Sequence, residues 1–252
     1  MAGDISSKKN SPEALKGRFA AVLPAGGLGK RMGGNIPKQL MLLGGKPVYR
    51  YCLETFLNMD EIAEVVMAVP ADWKDLFEKE VFGPASNMSS ELRELVHAKM
   101  KIVEGGAERW QSVENGVNAL TSDAEYVLVH DVARPFISKE IIRDVCKTLV
   151  EKGCCLVAKP AVDTIKIAKD GKVENTIDRN TVWMAQTPQA ASVKLLKTFY
   201  AKIASNPLNF VPTDEASILE YFGESVYIVK GNSLNDKLTT PEDFEIFANR
   251  AK

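Results

Sequence analysis

A glycine-rich segment with three cations carries the clearest chemical pattern in this chain of 252 residues. Residues 24–38 read PAGGLGKRMGGNIPK, which places five glycines beside Lys30, Arg31 and Lys38. Glycines let backbone N–H groups approach a ligand closely. A short apolar run precedes the segment, and open α/β sheets bind nucleotides at loops that follow such strands. The three cations predict a polyphosphate ligand, with a flexible linker carrying solvated lysines as the alternative.

The spacing of these glycines differs from two common phosphate-binding motifs. A Walker A loop needs Ser or Thr after its Gly-Lys pair, and here Arg31 follows that pair. The dinucleotide fingerprint G-x-G-x-x-G, begun at Gly27, needs a glycine where Met32 stands, so only a relaxed match through Gly33 remains. The Walker A motif is therefore absent, and the missing dinucleotide fingerprint argues against an NAD(P)-linked oxidoreductase.

Composition and charge exclude several classes of protein. The 32 Lys and Arg against 33 Asp and Glu give a net charge of −1, which excludes a globally basic nucleic-acid binder. No apolar run approaches the roughly 20 residues that a membrane span requires. The chain has 2 histidines, His97 and His130, so a three-histidine zinc site cannot form. Any metal is therefore expected to be a hard cation on oxygen ligands.

The cysteines and the N-terminal residues bear on the compartment. The 4 cysteines lack a C-x-x-C arrangement, as expected for buried thiols in a reducing compartment. Residues 1–18 are polar and lack the apolar stretch of a secretory signal, so we expect a flexible tail there. Residues 19–252 are expected to form a single domain. These features predict a cytoplasmic protein, or a plastid one if the tail belongs to a processed precursor.

Apolar strands alternate with helical stretches along the rest of the chain. Strands are predicted at residues 19–23, 64–70, 100–104, 126–131 and 154–160. Helices are predicted from residue 46 or 47 and at 72–82, 108–120 and 138–152. A helix at 214–221, a strand at 225–229 and a helix from Pro241 follow. The alternation predicts βαβ units, and hence a doubly wound, Rossmann-like α/β fold with a mostly parallel sheet.

A predicted β-hairpin interrupts this rhythm at residues 163–178, which read DTIKIAKDGKVENTID. Asp170 and Gly171 form a pair that is typical of hairpin turns. The pattern predicts a protruding β-arm over about residues 161–182. Because an isolated hairpin is only marginally stable in water, the arm is expected to lie against another surface. A second copy of the chain is the natural candidate.

Eight short motifs, in order along the chain, resemble one family of enzymes. They are PAGGLGKRMGGNIPKQ at residue 24, GGAERWQSV at 105, HDVARPF at 130, DTIK at 163, DRNTVW at 178, QTPQ at 186, TDEAS at 213 and NDKLTTPED at 235. From about residue 19 onward the chain resembles the 2-C-methyl-D-erythritol 4-phosphate cytidylyltransferases, nucleotidyltransferases of the non-mevalonate isoprenoid pathway. The ribitol-5-phosphate cytidylyltransferases share several motifs, but Asp178, Arg179 and the TDEAS stretch favour the first family.

The resemblance implies a reaction, its co-substrates and its assembly. CTP would give its cytidylyl group to the sugar phosphate with release of pyrophosphate, and Mg²⁺ would assist. The family also implies a homodimer formed through the arm, and neither a nucleic acid nor a membrane is expected as a partner. Ribitol 5-phosphate is the alternative acceptor, and a non-catalytic nucleotide-binding regulatory protein is the alternative of another class. The presence of all four residues Arg31, Lys38, Asp131 and Lys237 argues against a non-catalytic protein.

The resemblance assigns roles to individual residues. Catalytic contacts with the phosphates fall to Arg31, Lys38 and Lys237, although the neighbouring Asp236 could offset the charge of Lys237. The CTP site would comprise Pro24, Ala25, Gly26, Gly27, Gly29, Gly106, Arg109, Ser112 and Asp131. The sugar phosphate would contact Asp131, Arg134, Thr164, Arg179 and Thr187. Asp131 would also bind Mg²⁺. His130 is interpreted as a structural neighbour, and Thr213 and Asp214 as a helix N-cap outside the site.

Overall fold

The computed structural model describes residues 11–26, 36–84 and 87–251. Its strands are β1 (Phe19–Pro24), β2 (Leu42–Leu43), β3 (Lys46–Pro47), β4 (Ile62–Val69), β5 (Met100–Glu104), β6 (Tyr126–Val129), β7 (Cys155–Pro160), β8 (Ile165–Lys169), β9 (Lys172–Ile177), β10 (Trp183–Ser192) and β11 (Tyr227–Lys230). Its helices are α1 (Pro12–Leu15), α2 (Val48–Leu57), α3 (Lys74–Phe82), α4 (Ser90–Lys99), α5 (Arg109–Asn118), α6 (Lys139–Lys152), α7 (Val193–Ser205), α8 (Glu215–Tyr221) and α9 (Pro241–Arg250).

Seven strands form one central sheet in the order β11-β7-β10-β6-β1-β4-β5. Strand β10 pairs antiparallel with β6 and with β7, whereas the other neighbours pair in parallel. The predicted mostly parallel, doubly wound sheet is therefore confirmed. From β1 the chain moves outward to β4 and β5, then returns to place β6 on the other side of β1. This reversal creates a crevice at the carboxyl ends of β1 and β6.

Helices cover both faces of the sheet because its central strands are apolar on both sides. In β1, Ala21 and Leu23 pack into one core with helices α2, α3, α4 and α6. Val22, between them, packs into the second core with α5, α7 and α8. Alternate side chains of a strand point to opposite faces, so an unbroken apolar run buries both. The continuous apolar pattern from which β1 was predicted has this physical cause.

The hairpin arm is present where its turn pair predicts it. Strands β8 and β9 pair antiparallel around Asp170 and Gly171, whose φ angles are +48° and +77°. Glycine reaches positive φ without steric cost, and aspartate tolerates it better than most residues. The arm forms a two-stranded sheet of its own, separate from the central sheet, and Ile167 and Val173 on it are exposed.

Several elements were not predicted, among them the short α1, β2 and β3, helices α4 and α7, and strand β10. Helices α4 and α7 contribute to opposite faces, and β10 is inserted between β6 and β7. Strand β10 reads WMAQTPQAAS, so polar residues and Pro188 replace the apolar run expected of a central strand. A register irregularity between Ala185 and Gln189 accommodates this stretch. Strand β6 also ends at Val129, two residues before the predicted end, which leaves Asp131 in the following loop.

Residues 12–18, which precede the first strand, contact the rest of the fold. Residues 12–15, which were expected to belong to a flexible tail, form helix α1, and Leu15 is buried in the main core. Arg18 is also fixed by a two-bond pair with Glu125 at 2.8 and 2.9 Å. From residue 19 onward, the described chain contributes the seven strands of the central sheet. Within the described part of the chain, no helix is long and apolar enough to span a membrane.

Candidate active site

A cavity of about 310 Å³ lies at the crevice between the carboxyl ends of β1 and β6. The end of β1, the start of α5, the loop after β6 and the residues before α9 form its walls. Its lining residues are Pro24, Gly26, Lys38, Gln39, Gly106, Ala107, Glu108, Arg109, Ser112, Asp131, Ala133, Lys237 and Thr239. Stretches that are far apart in the sequence therefore converge on one cavity, as nucleotide sites of open α/β sheets do.

The turn before α5 is held against the cavity by Ser112. Its hydroxyl accepts a hydrogen bond from the Gly106 N–H at 3.0 Å and donates to the Glu108 carbonyl at 3.2 Å. A Cβ atom at Gly106 would lie 2.3 Å from Cβ of Gln111, and one at Gly105 would lie 2.8 Å from Oγ of Ser112. Only glycine fits at these two positions, so backbone atoms reach the cavity wall directly.

Asp131 is the central charge of the cavity and contacts two cations. Its Oδ1 accepts from Nε of Arg109 at 3.0 Å, and its Oδ2 accepts from Nζ of Lys237 at 2.7 Å. Burial alone would favour the protonated acid, but the charges of Arg109 and Lys237 outweigh it and hold the pKa of Asp131 well below its ordinary value. Asp131 is therefore a carboxylate at any physiological pH.

Arg109 connects Asp131 to a second, buried carboxylate. Its Nη1 and Nη2 donate to Oε1 and Oε2 of Glu215 at 2.7 and 2.9 Å. Glu215 is the first residue of α8 and is 1% exposed. Charges therefore alternate in sign from Glu215 through Arg109 and Asp131 to Lys237.

The loop that carries Asp131 rests on His130 and Thr187. The Thr187 hydroxyl accepts from the Asp131 N–H at 3.1 Å and lies 3.0 Å from Nδ1 of His130. The other ring nitrogen of His130 lies 3.0 Å from the Arg134 carbonyl. Burial lowers the pKa of His130 to about 4, so the ring is neutral at pH 7. These contacts agree with the interpretation of His130 as a structural neighbour.

Lys38 and Lys237 belong to chain segments that contact each other. Nζ of Lys38 donates to the Leu238 carbonyl at 2.8 Å, and the Leu238 N–H donates to the Ala133 carbonyl at 2.8 Å. Lys38 is 9% exposed, whereas the Lys237 side chain keeps 39% of its surface accessible. Both lysines line the cavity.

Asp236 stands directly before Lys237 in the sequence, but it pairs with another lysine and not with Lys237. Both Asp236 oxygens accept from Nζ of Lys159, at 2.6 and 2.7 Å. Oδ1 also accepts from Nε2 of Gln186 at 2.9 Å. Consecutive residues in extended backbone point in opposite directions. Asp236 consequently faces β7 and β10, and Lys237 faces Asp131.

Eight of the predicted site residues line the cavity together. They are Pro24, Gly26, Lys38, Gly106, Arg109, Ser112, Asp131 and Lys237. Ala25 is fully buried and donates its N–H to the Ala68 carbonyl at 2.7 Å, so it supports the wall from behind. Gly27, Gly29 and Arg31 lie outside the described residues.

Four predicted substrate residues lie outside the cavity lining. Thr187 is 4% exposed, and its hydroxyl is used beneath Asp131, so in this chain it supports that residue rather than facing the cavity. Arg134 donates to the carbonyls of Asn235 and Ala185 at 2.9 and 3.3 Å. Thr164 and Arg179 are exposed at the base of the arm, where Arg179 donates to the Val162 carbonyl at 2.6 Å.

Comparison with known proteins identifies the family. The family model of 2-C-methyl-D-erythritol 4-phosphate cytidylyltransferase matches residues 19–249. A protein of that name from Oryza sativa subsp. japonica, described as chloroplastic, is 38% identical over 233 residues, covering 92% of this chain and 74% of its own. The Geobacter metallireducens protein of that name is 39% identical over 226 residues, covering 88% and 93%. This chain belongs to the 2-C-methyl-D-erythritol 4-phosphate cytidylyltransferase family.

A solved structure of the same family supports the fold assignment. The 2-C-methyl-D-erythritol 4-phosphate cytidylyltransferase of Francisella tularensis superposes with a TM-score of 0.74 at 29% sequence identity. The match covers 93% of this chain and 100% of the Francisella chain. The predicted nucleotidyltransferase fold and enzyme class are thus confirmed, and the oxidoreductase and non-catalytic alternatives are wrong.

Asp131 fits the magnesium site that this cytidylyltransferase family implies. Mg²⁺ is usually held by one or two carboxylates, substrate phosphates and water. Each Asp131 oxygen makes one hydrogen bond, and a carboxylate has about four lone-pair sites, so capacity for a metal remains. In the described ranges, no group of three or more His, Cys, Asp or Glu residues could hold a metal without other ligands. Asp131 together with CTP phosphates would therefore form the site.

Sequence reasoning missed Glu215, the buried partner of Arg109. The TDEAS motif predicted an N-cap correctly, since the Asp214 side chain accepts from the Ser217 N–H at 3.0 Å. A further pattern was available in the same stretch. Glu215 is followed at i+3 and i+4 by Ile218 and Leu219, both fully buried, and residues at these spacings share one helix face. A carboxylate on an apolar helix face predicts a buried charge that needs a cation.

Proposed function

We propose that this chain transfers the cytidylyl group of CTP to 2-C-methyl-D-erythritol 4-phosphate. A phosphate oxygen of the acceptor attacks the α-phosphorus of CTP, the bond to the bridging oxygen breaks, and pyrophosphate leaves. The products are 4-diphosphocytidyl-2-C-methyl-D-erythritol and pyrophosphate. The observation that carries the proposal is the convergence of Lys38, Arg109, Asp131 and Lys237 on one cavity in a member of this family.

Positioning and charge neutralisation carry the proposed catalysis. The attacking oxygen is already anionic, so no residue needs to remove a proton, and the neutral, buried His130 is not required. The difficulty is to bring two polyanions together, which cations fixed in a cavity relieve. Lys38 and Lys237 would contact the phosphates, Arg31 would join them, and Ser112 with the Gly106 backbone would bind the cytosine. Mg²⁺ bound by Asp131 and the phosphates would supply further positive charge at the reacting phosphorus.

The proposed acceptor contacts lie near the base of the arm. Arg134 is held by hydrogen bonds to the carbonyls of Asn235 and Ala185, and its positive charge there would attract the phosphate of the acceptor. Thr164 and Arg179 are exposed in the single chain, away from the cavity lining. We propose that the arm pairs with a second copy, so that these two residues serve the partner's cavity. The compartment stays a prediction, either the cytoplasm or a plastid.

Pyrophosphate release from CTP tests the proposed function. The purified chain with Mg²⁺ receives 2-C-methyl-D-erythritol 4-phosphate, ribitol 5-phosphate or no acceptor. Rapid release with the first acceptor alone is expected. Preference for ribitol 5-phosphate would overturn the acceptor assignment, and bound CTP without release for any acceptor would overturn the catalytic assignment.

A further inference from the structure

Glu215 is a buried carboxylate that the proposed chemistry does not use. It is 1% exposed and is not one of the described residues that line the cavity. Taking a carboxylate out of water is costly unless a cation and hydrogen bonds compensate. Both oxygens of Glu215 accept from Arg109, at 2.7 and 2.9 Å, so the compensation comes from a residue that lines the cavity.

This pairing fixes how Arg109 meets Asp131. With Nη1 and Nη2 directed to Glu215, Nε makes the hydrogen bond to Asp131, at 3.0 Å to Oδ1. The other oxygen of Asp131 is then left for Lys237 at 2.7 Å. A guanidinium freed from Glu215 would favour a two-bond pair with Asp131, the geometry that arginine and carboxylate prefer. Such a pair would occupy both oxygens and displace Lys237.

We propose that Glu215 is a positioning residue for the nucleotide site. It holds Arg109 in an orientation that uses only one oxygen of Asp131, so that the other oxygen can bind Lys237. This inference rests on the proposed function, because it concerns the same cavity. Glu215 acts through Arg109 alone, since its carboxylate contacts no other cation among the described ion pairs. Its effect should therefore appear in CTP binding and turnover, and should vanish when Arg109 is absent.

The first experiment compares Glu215→Gln with a matched buried carboxylate. Glu64 is 5% exposed and pairs with Lys101 at 2.6 Å, but it does not line the cavity. Glu215→Gln is expected to weaken CTP binding, measured by calorimetry with EDTA present, and to lower kcat with Mg²⁺, each by about 10- to 100-fold. Glu64→Gln is expected to lower the melting temperature without changing either quantity. Equal CTP affinity and kcat for Glu215→Gln and wild type would overturn the proposal.

A double-mutant cycle separates positioning from stabilisation. In an Arg109→Met background, adding Glu215→Gln removes an uncompensated buried charge, so the melting temperature should rise. CTP affinity should stay at the Arg109→Met value, because the route from Glu215 to the cavity is already lost. A further loss of CTP affinity in the double variant would show that Glu215 acts independently of Arg109, which contradicts the proposal.

Glu215→Asp keeps the charge and serves if the Gln variant does not fold. Its shorter side chain cannot hold both Nη atoms at the observed distances, so an intermediate loss of CTP affinity is expected. Wild-type affinity in a folded Glu215→Asp variant would count against positioning. Failure of the proposed function is recognised separately. In that case the wild type and the variants would still differ in CTP affinity as expected, but the wild type would release no pyrophosphate with any acceptor.

Discussion

Charges of opposite sign alternate from the buried Glu215 to Arg109, Asp131 and Lys237, the last three of which line the cavity. Each buried charge is thus compensated before any ligand arrives, which offsets the cost of keeping ionised groups away from bulk water. Fixed charges need little rearrangement when a triphosphate binds. Lys38 contributes a further cation to the cavity, where its ammonium donates to the Leu238 carbonyl.

Replacing Lys38 tests the proposed contact with the phosphates. Lys38→Ala is expected to lower kcat by at least about 100-fold, because loss of one preorganised charge at the phosphoryl group costs a few kcal/mol. Turnover is measured by pyrophosphate release, and folding by circular dichroism. Lys99→Ala is the matched control, since Lys99 also donates to backbone carbonyls, including that of Ile62 at 3.0 Å, but lies outside the cavity. Wild-type kcat in folded Lys38→Ala would contradict the assignment.

Glu64 makes stability depend on acid pH. Burial alone would raise its pKa, but hydrogen bonds from Lys101 and from the backbone N–H groups of Ser122 and Thr121 outweigh burial and lower the pKa to about 2 from an ordinary 4.5. The unfolded chain therefore takes up a proton near pH 4.5, while the folded chain resists until about pH 2. The stability that ionised Glu64 contributes is present above pH 4.5 and is lost as the pH falls towards 2.

Urea denaturation of wild type and Glu64→Gln across this pH range measures that contribution. The variant is expected to be less stable at pH 7, with the difference in unfolding free energy shrinking between pH 4.5 and 2. A difference that stays constant over this range would mean that Glu64 keeps the same pKa in both states.

At the scale of elements, the segment 231–238 positions Lys237 because the residues before it, Asn235 and Asp236, are held by side-chain hydrogen bonds. Asn235 is fully buried, and its Nδ2 donates to the Thr187 carbonyl at 2.8 Å. Asp236 is held by Lys159 and Gln186. A segment without helix or strand hydrogen bonds along most of its length is thus attached to β7 and β10 through side chains. Precise placement of a charge through such contacts can change rates strongly.

Removing the Asp236 attachment is expected to lower kcat without emptying the cavity of any cation. Asp236→Ala should reduce kcat by about 10- to 100-fold, since Lys237 is no longer held in register with Asp131. Lys159→Ala should have a similar effect, because it removes the ion pair that holds Asp236 in place. Arg250→Ala is the control, because Arg250 at the end of α9 contacts the same segment from its exposed side, where its Nη1 donates to the Ser233 carbonyl at 3.4 Å. Steady-state kinetics that rank Arg250→Ala with Asp236→Ala would refute this explanation.

At the scale of the whole molecule, the arm is the part that the single chain leaves unsupported. Ile167 and Val173 on it are 44% and 56% exposed, and Val162 at its base is 76% exposed. A two-stranded hairpin with exposed apolar side chains gains stability only by packing against another surface. The proposed homodimer would provide that surface.

Charges placed on the arm are expected to dissociate the dimer. Sedimentation velocity should show a dimer for wild type and a monomer for the double variant Ile167→Asp, Val173→Asp, because burying two carboxylates without cations opposes association. Ile246→Asp is the control, since Ile246 is 52% exposed on α9 rather than on the arm. A monomeric wild type, or a double variant that sediments as a dimer, would contradict the role of the arm.

The sequence by itself determined the local elements and the residues that could do chemistry. Unbroken apolar runs such as β1 predicted buried parallel strands, and the pair Asp170 and Gly171 predicted the arm, because both patterns depend on neighbouring residues alone. The motifs likewise identified Lys38, Asp131 and Lys237, which the fold brings to one cavity.

Only the tertiary structure decided how those residues are paired. Strand β10 escaped prediction because its polar residues are satisfied by partners distant in sequence, such as Asn232 for Gln186 and Asp214 for Gln189. Asp236 stands beside Lys237 in the sequence yet pairs with Lys159, and Arg109 pairs with Glu215, 106 residues away. The energy and the pKa of a buried charge depend on the atoms that surround it in space. These atoms come from distant segments, which only the folded sheet brings together.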